Sequence, residues 1–355
     1  MQTRETSVPG YERVVWGADK TAGYRGVAVI HSTVLGPAVG GTRYWLYAND
    51  DEALTDALRL ARGMTYKNAL AGLPCGGGKS IILRNDALND SAALSREKLF
   101  RAHGQLVEAL AGKYITAEDV GTSPSDMEFI LKETRHVAGL QGRSGDPSPK
   151  TARGVFRAMQ AAAKHYWGRD DLSGKTVAIQ GCGHVGYYLG GELHRAGARL
   201  IVTDVDQERS RRTAEDFGAT VVALEGIYAA PADVFAPCAL GGILNDQTIP
   251  QLKARIVAGA ANNQLLEARH GALLRQQGIL YAPDYAANAG GVINGCCMEM
   301  LGWDQALTSQ KIDAIYETLL RIFRLAAESN IDTSLAADRL AEERLMKGAM
   351  SSPQL

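Results

Sequence analysis

Two lysines, Lys67 and Lys79, bracket the segment NALAGLPCGGG, and a carboxylate pair, Glu118–Asp119, stands in YITAEDVGT. Taken in isolation, two lysines this close are two solvated surface charges. Their surroundings point to chemistry instead. Lys67 ends the apolar face of a helical run beside Met64, and Lys79 follows three glycines, where little side-chain bulk covers the backbone. One ammonium can bind a substrate carboxylate. The other, pushed to lower pKa by its cationic neighbour and by burial, can accept a proton near neutrality. A carboxylate at Asp119 can orient a lysine or shuttle a proton to nitrogen. On local grounds a helix N-cap near Ser123–Asp126 accounts for it equally well.

A second constellation concerns a cofactor. The apolar strand Thr176–Gln180 runs directly into Gly181-Cys182-Gly183-His184-Val185-Gly186, and a helix follows to Ala196. In that strand–loop–helix context the glycines read as a dinucleotide fingerprint: the first permits the tight turn, the second lets a pyrophosphate approach the backbone, and the third packs helix on strand. Amide N–H groups at the helix start face the phosphates, and His184 is a phosphate-loop side chain. The next strand, Leu200–Thr203, ends at Asp204, with Val205 beside it, within the ~20-residue interval of a ribose-binding acid. A carboxylate there accepts from the ribose hydroxyls and repels a 2′-phosphate, which favours NAD over NADP. Arg209, Arg211 and Arg212 follow closely and work against that repulsion.

The elements that must position these groups fall into two patterns. On the N-terminal side, Gly26–Thr33 reads as a buried strand, LGPAVGGTR (Leu35–Arg43) as a turn-rich loop, Asp51–Ala71 as an amphipathic helix, and Ser80–Leu83 as a short strand after Gly76–Gly78. Beyond a Gly/Pro/Ser-rich patch, Gly142–Thr151, strands and helices alternate: the helix Gln207–Phe217, then short strands at Val221–Val222, Asp233–Phe235 and Ile256–Ala258. Alternation of this kind implies an α/β chain with a parallel, doubly wound Rossmann sheet. Long helices close the chain at Asp304–Glu328 and Ser334–Lys347. The expected division is a substrate domain over 1–145, to which the C-terminal helix 330–355 returns, and an NAD-binding domain over 146–329.

Composition narrows the class. With 38 Lys+Arg against 39 Asp+Glu there is no basic footprint for nucleic acid or a membrane surface. No apolar run is long enough to span a bilayer, and the N-terminus lacks the apolar stretch of a secretory signal, so a cytoplasmic protein is expected. Cys75, Cys182, Cys238, Cys296 and Cys297 are odd in number, form no Cys-x-x-Cys and have no histidine at zinc-ligand spacing. They read as reduced thiols with no structural metal, and Cys296–Cys297 as two small buried side chains of one helix rather than a redox pair. None of the seven histidines forms a persuasive pair with a carboxylate, which counts against a 2-hydroxy-acid dehydrogenase. Intact Lys67, Lys79 and Asp119 count against a catalytically silent NAD-binding protein.

The blocks LGPAVGGTR, DALRLARGMTYKNA, GGGKSIIL, YITAEDVGT, PSPKTARGVF, FAPCALGGILNDQTIPQLKA, AGAANNQL and YAPDYAANAGGVIN together resemble the glutamate, leucine, phenylalanine and valine dehydrogenase superfamily nearly end to end. The leucine branch is most similar, with phenylalanine and tryptophan dehydrogenases near it. The resemblance implies NAD-dependent oxidative deamination of an apolar L-amino acid, reversibly, in a homo-oligomer whose two domains flank a cleft. It implies that Lys67 holds the substrate α-carboxylate, that Lys79 is the general base activating water, and that Asp119 assists proton transfer at the amino group. Gly40 and Gly41 would line the substrate site beside Met64, together with Ala117 and Val292. Thr151 and Asn262 would position the nicotinamide amide, with Asn288 near the ring. Ala236, Pro237, Cys238 and Ala260 would border the cofactor cleft. Where glutamate-specific relatives carry a lysine and a serine, this chain has Val39 and Gly295, which cannot pair a side-chain carboxylate. Typical leucine dehydrogenases carry leucine and valine there, so the smaller pair implies an enlarged pocket.

If Asp204 reads the ribose, Asp204→Ala should weaken NAD and raise the NADP/NAD ratio of kcat/KM. An unchanged ratio would assign the discrimination to another group.

Overall fold

The computed structural model describes residues 1–84 and 96–351. The chain forms two compact units. One comprises Met1–Gly145, Gly295–Trp303 and the residues from Glu342 onward; the other comprises Asp146–Asn294 and Asp304–Ala341.

The first unit is built on a six-stranded sheet of β1 (Gln2–Glu5), β2 (Arg13–Asp19), β3 (Tyr24–Ser32), β4 (Ala38–Trp45), β5 (Gly76–Leu83) and β6 (Tyr114–Glu118). Its order is β1-β2-β3-β5-β4-β6. β4 lies parallel to both β5 and β6, while β3 runs antiparallel to β2 and to β5. Both faces are covered, which explains the unbroken apolar run in β3. Val27 and Val29 pack with Ile81 against helix α1 (Asp50–Leu70), whereas Ala28 and Ile30 face the side of α2 (Arg96–Glu108), among Phe100, Leu106 and Tyr114.

Helix α1 starts where Asn49 accepts from the Glu52 amide at 2.9 Å, and Asp50, Asp51 and Glu52 complement the positive end of the helix dipole. Its buried face carries Ala53, Ala57 and Ala61, four apart, so the helix can settle close on the sheet. The contact is closest at Gly77, where a Cβ would lie 2.0 Å from the Thr65 amide nitrogen. Glycine is required there by space. At the far end of α1, Arg344 donates to the carbonyls of Ala69 and Leu73, binding α12 (Thr333–Ser351) to the helix terminus.

The segment expected as a turn-rich loop, Leu35–Arg43, instead enters β4 at Ala38, and β5 begins at Gly76 rather than at Ser80. Glycine is a poor strand former, but here its small size is what the close packing needs. A Cβ on Gly40 would lie 1.8 Å from the Gly78 carbonyl oxygen. Across β4 and β5 a buried polar network joins Thr42, Ser80 and His103 Nε2, and His103 Nδ1 meets Tyr24 Oη at 2.9 Å. Burial holds the His103 imidazole down to about 3, so it stays neutral.

The second unit has a six-stranded, wholly parallel sheet of β7 (Thr176–Gln180), β8 (Arg199–Thr203), β9 (Thr220–Val221), β10 (Val234–Pro237), β11 (Ile256–Val257) and β12 (Leu280–Tyr281). Its order, β12-β11-β10-β7-β8-β9, is that of a Rossmann domain, whose winding reverses between β7 and β10. The helices of this unit include α4 (Ser148–Trp167), α5 (His184–Arg195) and α6 (Gln207–Phe217). The single helix expected over Asp304–Glu328 is two, Gln305–Asp313 and Ile315–Ser329, parted at Ala314. Arg153 of α4 clamps the Asp313 carboxylate at that joint, 2.8 Å away, a tertiary contact that hydrophobic periodicity does not record. No described helix is long and apolar enough to cross a membrane. Among the described residues no group of three or more His, Cys, Asp or Glu could hold a metal ion.

Candidate active site

The first unit gathers the reactive groups on three neighbouring strands. Lys79 points from β5 into a buried site and places its Nζ 2.7 Å from Asp119 Oδ2, just beyond β6. The same carboxylate oxygen accepts from Arg43 Nε of β4 at 2.8 Å. Arg43 also donates through Nη1 to Asp56 of α1, and Tyr47 donates its hydroxyl to that Asp56 oxygen at 2.6 Å. Lys79 is 4% exposed, so its charge is removed from water. Asp119 is held from behind, its N–H donating to Thr122 Oγ1 while the Thr122 hydroxyl donates to the Asp119 carbonyl. The N-cap reading of Asp119 is superseded. Ser123 and Asp126 form the capping box of the helix Pro124–Leu131 themselves.

The electrostatics follow from this geometry. Burial lowers the Lys79 ammonium below its ordinary pKa; Asp119 pulls it back up, and Arg43, a second cation, pushes it down. For Asp119, burial raises the carboxyl, but Lys79 and Arg43 outweigh it and hold the group at about 2. A lysine kept below its usual range beside a carboxylate that stays ionised is the arrangement of a general base.

Of the other residues expected at a substrate site, Gly40 and Gly41 lie beside this cluster. A Cβ on Gly41 would fall 2.9 Å from Asp119 Cβ, and one on Gly40 would meet Met64 Cγ at 3.4 Å. Ala117 pairs with Gly41 across β6 and β4, and Val39 pairs with Gly77 across β4 and β5. Lys67 lies on the last turn of α1, three residues beyond Met64 and so on the same side of the helix. Gly295 joins this unit through its neighbour, since Cys296 Sγ lies 3.2 Å from Cys75 Sγ, immediately before β5. A Cβ added to Gly295 would meet no atom within 4 Å. Val292 belongs to the second unit.

In that second unit the glycine loop has the geometry its spacing implies. Gly181 adopts φ +100°, open to glycine, and a Cβ on Gly186 would lie 1.9 Å from the Gly181 carbonyl oxygen. Gly183 differs from both. The nearest atom to a Cβ there is an Arg209 nitrogen at 3.9 Å, which leaves its backbone open to a phosphate. His184 opens α5 at the surface, with Val185 half-buried beside it. Asp204 Oδ2 accepts from the Cys182 amide at 2.7 Å, fixing the carboxylate at the loop, while Val205 is 83% exposed. Arg211 pairs with Glu208 and Glu215, Arg212 with Asp216, and Arg209 with Asp206, so each arginine that follows Asp204 has an acid on or capping its own helix.

Ala236 and Pro237 end β10, and the Cys238 amide donates to Gln180 O, so these residues flank the glycine loop at the winding reversal. Asn288 Nδ2 donates to Ala260 O and to Asn262 Oδ1, drawing together two of the expected nicotinamide residues and one expected at the cleft border. Asn288 Oδ1 is buried with no donor to it among the described residues, the kind of acceptor a carboxamide NH₂ satisfies. The Thr151 hydroxyl donates to Pro147 O on the first turn of α4. The open Gly183 backbone, Asp204 and the Asn288 acceptor fit a nicotinamide dinucleotide.

Sequence reading missed Arg43, Asp56, Thr122 and Arg344. Arg43 ends the segment LGPAVGGTR, yet its partners are 13 and 76 residues away, so no local spacing marks it.

Comparison with known proteins shows what the chain is similar to. Residues 12–136 match the family described as Glu/Leu/Phe/Val dehydrogenase, dimerisation domain, and residues 142–208 and 204–351 match Glutamate/Leucine/Phenylalanine/Valine dehydrogenase. The chain is 53% identical over 338 residues to a leucine dehydrogenase of Geobacillus stearothermophilus, covering 94% of this chain and 90% of that enzyme. It is 45% identical over 342 residues to a valine dehydrogenase of Streptomyces albus, covering 95% and 92%. The crystal structure of L-tryptophan dehydrogenase from Nostoc punctiforme aligns with a TM-score of 0.85 at 44% identity, over 96% of this chain and 98% of that one.

Because Asp119 titrates lower when folded than when unfolded, its stabilisation is fully present above a pH near 4 and is lost as pH falls towards 2. Asp119→Asn should therefore cost about 2 kcal/mol of unfolding free energy at pH 7, and the gap to wild type should narrow between pH 4 and 2. Urea denaturation across that range measures it; a gap that does not change with pH would show that the ion pair adds no net stability.

Proposed function

We propose that this chain, which belongs to the Glu/Leu/Phe/Val dehydrogenase family, oxidatively deaminates an apolar L-amino acid to its 2-oxo acid and ammonia with NAD, and runs the reverse. The observation that carries the reading is the buried Lys79–Asp119 pair with Arg43 on its far side. In it the first unit holds the amino acid and the second holds NAD, in a homo-oligomer. When bound, NAD supplies the hydride acceptor for the substrate Cα. Gly181, Gly183 and Gly186 hold its pyrophosphate, Asp204 its ribose, and Thr151, Asn262 and Asn288 its carboxamide.

The side chains of the first unit do the rest. Lys67 pairs with the α-carboxylate and so anchors the substrate with its Cα near Lys79. Lys79, lowered by burial and by Arg43, takes a proton from the water that adds to the imino carbon. Asp119, at about 2, stays ionised at working pH. It acts as a fixed anion that orients Lys79 and stabilises positive charge at the amino nitrogen as protons pass. The departing nitrogen takes up a proton and leaves as ammonia, its C–N bond breaking as the new hydroxyl on that carbon gives up its proton to form the 2-oxo acid.

Substrate size rests on Val39 and Gly295. Neither side chain can neutralise a glutamate carboxylate, and burying that charge unpaired is strongly unfavourable. The open space off Gly295 favours a leucine-like side chain with room to spare, and a second reading, preference for an aromatic amino acid, rests on the same space.

Lys79→Ala should retain NAD binding but lose roughly 10²- to 10⁴-fold in turnover. Deamination at wild-type rate in that variant would remove Lys79 from the mechanism. NADH formation with leucine, valine, isoleucine, phenylalanine, tryptophan and glutamate identifies the substrate, with glutamate expected to be inert. Gly295 has helical dihedrals, so Gly295→Val should fold. It should lower kcat/KM for the bulkier side chains relative to valine by about 10- to 200-fold. An unchanged ranking would mean the space is not part of the pocket.

A further inference from the structure

The segment Gly295–Trp303 returns the chain to the first unit and is fastened there at two points. Glu299 Oε2 accepts from the Gly139 amide at 2.9 Å, and its other oxygen takes the Ser144 hydroxyl. At the near end Cys296 Sγ touches Cys75 Sγ at 3.2 Å, across 221 residues of sequence. The two thiols are 2% and 1% exposed. Cys75 stands directly before β5, the strand that carries Lys79, and Cys296 directly follows Gly295.

We propose that Cys75 and Cys296 are a paired oxidation site, which a peroxide converts to a disulfide that displaces the catalytic strand and the pocket wall together. The Cys75 thiol is held below its ordinary pKa by its hydrogen bond with Cys296; burial opposes this, and the Arg344 guanidinium adds to it. A thiolate is the nucleophile in this chemistry, so Cys75 reacts first. Its sulfur attacks one peroxide oxygen, the O–O bond breaks, and the other oxygen leaves as water once protonated, giving a Cys75 sulfenic acid. Cys296 sulfur then attacks Cys75 Sγ and expels the hydroxyl, which departs with the Cys296 proton as a second water. Two electrons pass from the sulfurs to the peroxide. Burial excludes an oxidant of glutathione size, which makes a small peroxide the matching reagent.

Closing the bond draws the sulfurs together by roughly 1 Å, from the contact distance to about 2.05 Å. The strain falls on Gly76–Gly78 ahead of Lys79 and on Gly295 at the pocket. A displacement of about 1 Å in an active site can cost ~10²-fold in rate. The chemistry at sulfur is independent of the proposed reaction; its effect on turnover rests on that reading.

The test treats the full-length protein with hydrogen peroxide, alkylates remaining thiols, and maps peptides by mass spectrometry with and without dithiothreitol. The expected product is a Cys75 peptide joined to a Cys296 peptide, with at least a tenfold loss of turnover that dithiothreitol restores. In Cys75→Ser and Cys296→Ser, which exchange one small side chain for another, the reversible loss should disappear. Should either variant fail to fold, the wild-type map still decides. Cys75 and Cys296 both alkylated after peroxide, or a link running to Cys297 instead, would overturn the pairing. A Cys75–Cys296 link with unaltered turnover would overturn the displacement. A link in protein that deaminates no amino acid even when reduced would support the pair and count against the proposed function.

Discussion

One carboxylate oxygen, Asp119 Oδ2, takes a hydrogen bond from Lys79 and another from Arg43, all three groups being largely withdrawn from water. Two cations on adjoining strands are costly to bury, and breaking a buried pair by removing one partner typically costs several kcal/mol. Asp56, from the helix above, balances the second cation. Much of the first unit is arranged to meet this constraint. β4, β5 and β6 must lie side by side for Arg43, Lys79 and Asp119 to meet, and α1 must come close enough for Asp56 to reach Arg43. The resulting tension, a lysine pushed down by burial and Arg43 while Asp119 holds it up, leaves the Lys79 ammonium below its ordinary pKa.

Small residues make the approach possible. The alanine face of α1 and the glycines of β5 and β4 bring backbones together where side chains would separate them, as the 2.0 Å from a hypothetical Gly77 Cβ to the Thr65 nitrogen demonstrates. Like any helix, α1 ends with carbonyls to satisfy, and Arg344 of the last helix donates to one of them, Ala69 O, and to Leu73 O just beyond. Lys67 is thus carried on a helix pinned at its start by Asn49 and near its end by a residue more than 270 positions downstream.

The second unit is organised differently, around close backbone packing at its glycine loop rather than around buried side-chain charges. Gly181 turns, Gly186 packs and Gly183 stays open, while Asp204 both holds the loop amide of Cys182 and presents a carboxylate beside it. Asn288 donates its NH₂ to Ala260 and Asn262, which leaves its buried oxygen with no donor among the described residues.

The amino-acid sequence by itself determined the alternating elements of the Rossmann unit, marked its three loop glycines, and named the candidates Lys67, Lys79 and Asp119, because turn chemistry and period-2 or period-3.6 patterning are written in adjacent residues. It misdirected the reading where glycine serves packing rather than a turn. Leu35–Arg43 looks like a loop, but from Ala38 it is β4, an inner strand whose Gly40 backs onto the Gly78 carbonyl. It was silent on Arg43 and on the meeting of Cys75 with Cys296, and it ran the helices on either side of Ala314 into one. Each of these depends on partners tens to hundreds of residues away. Charge pairing and close packing act through space and leave no period in the chain, so the tertiary structure alone decided them.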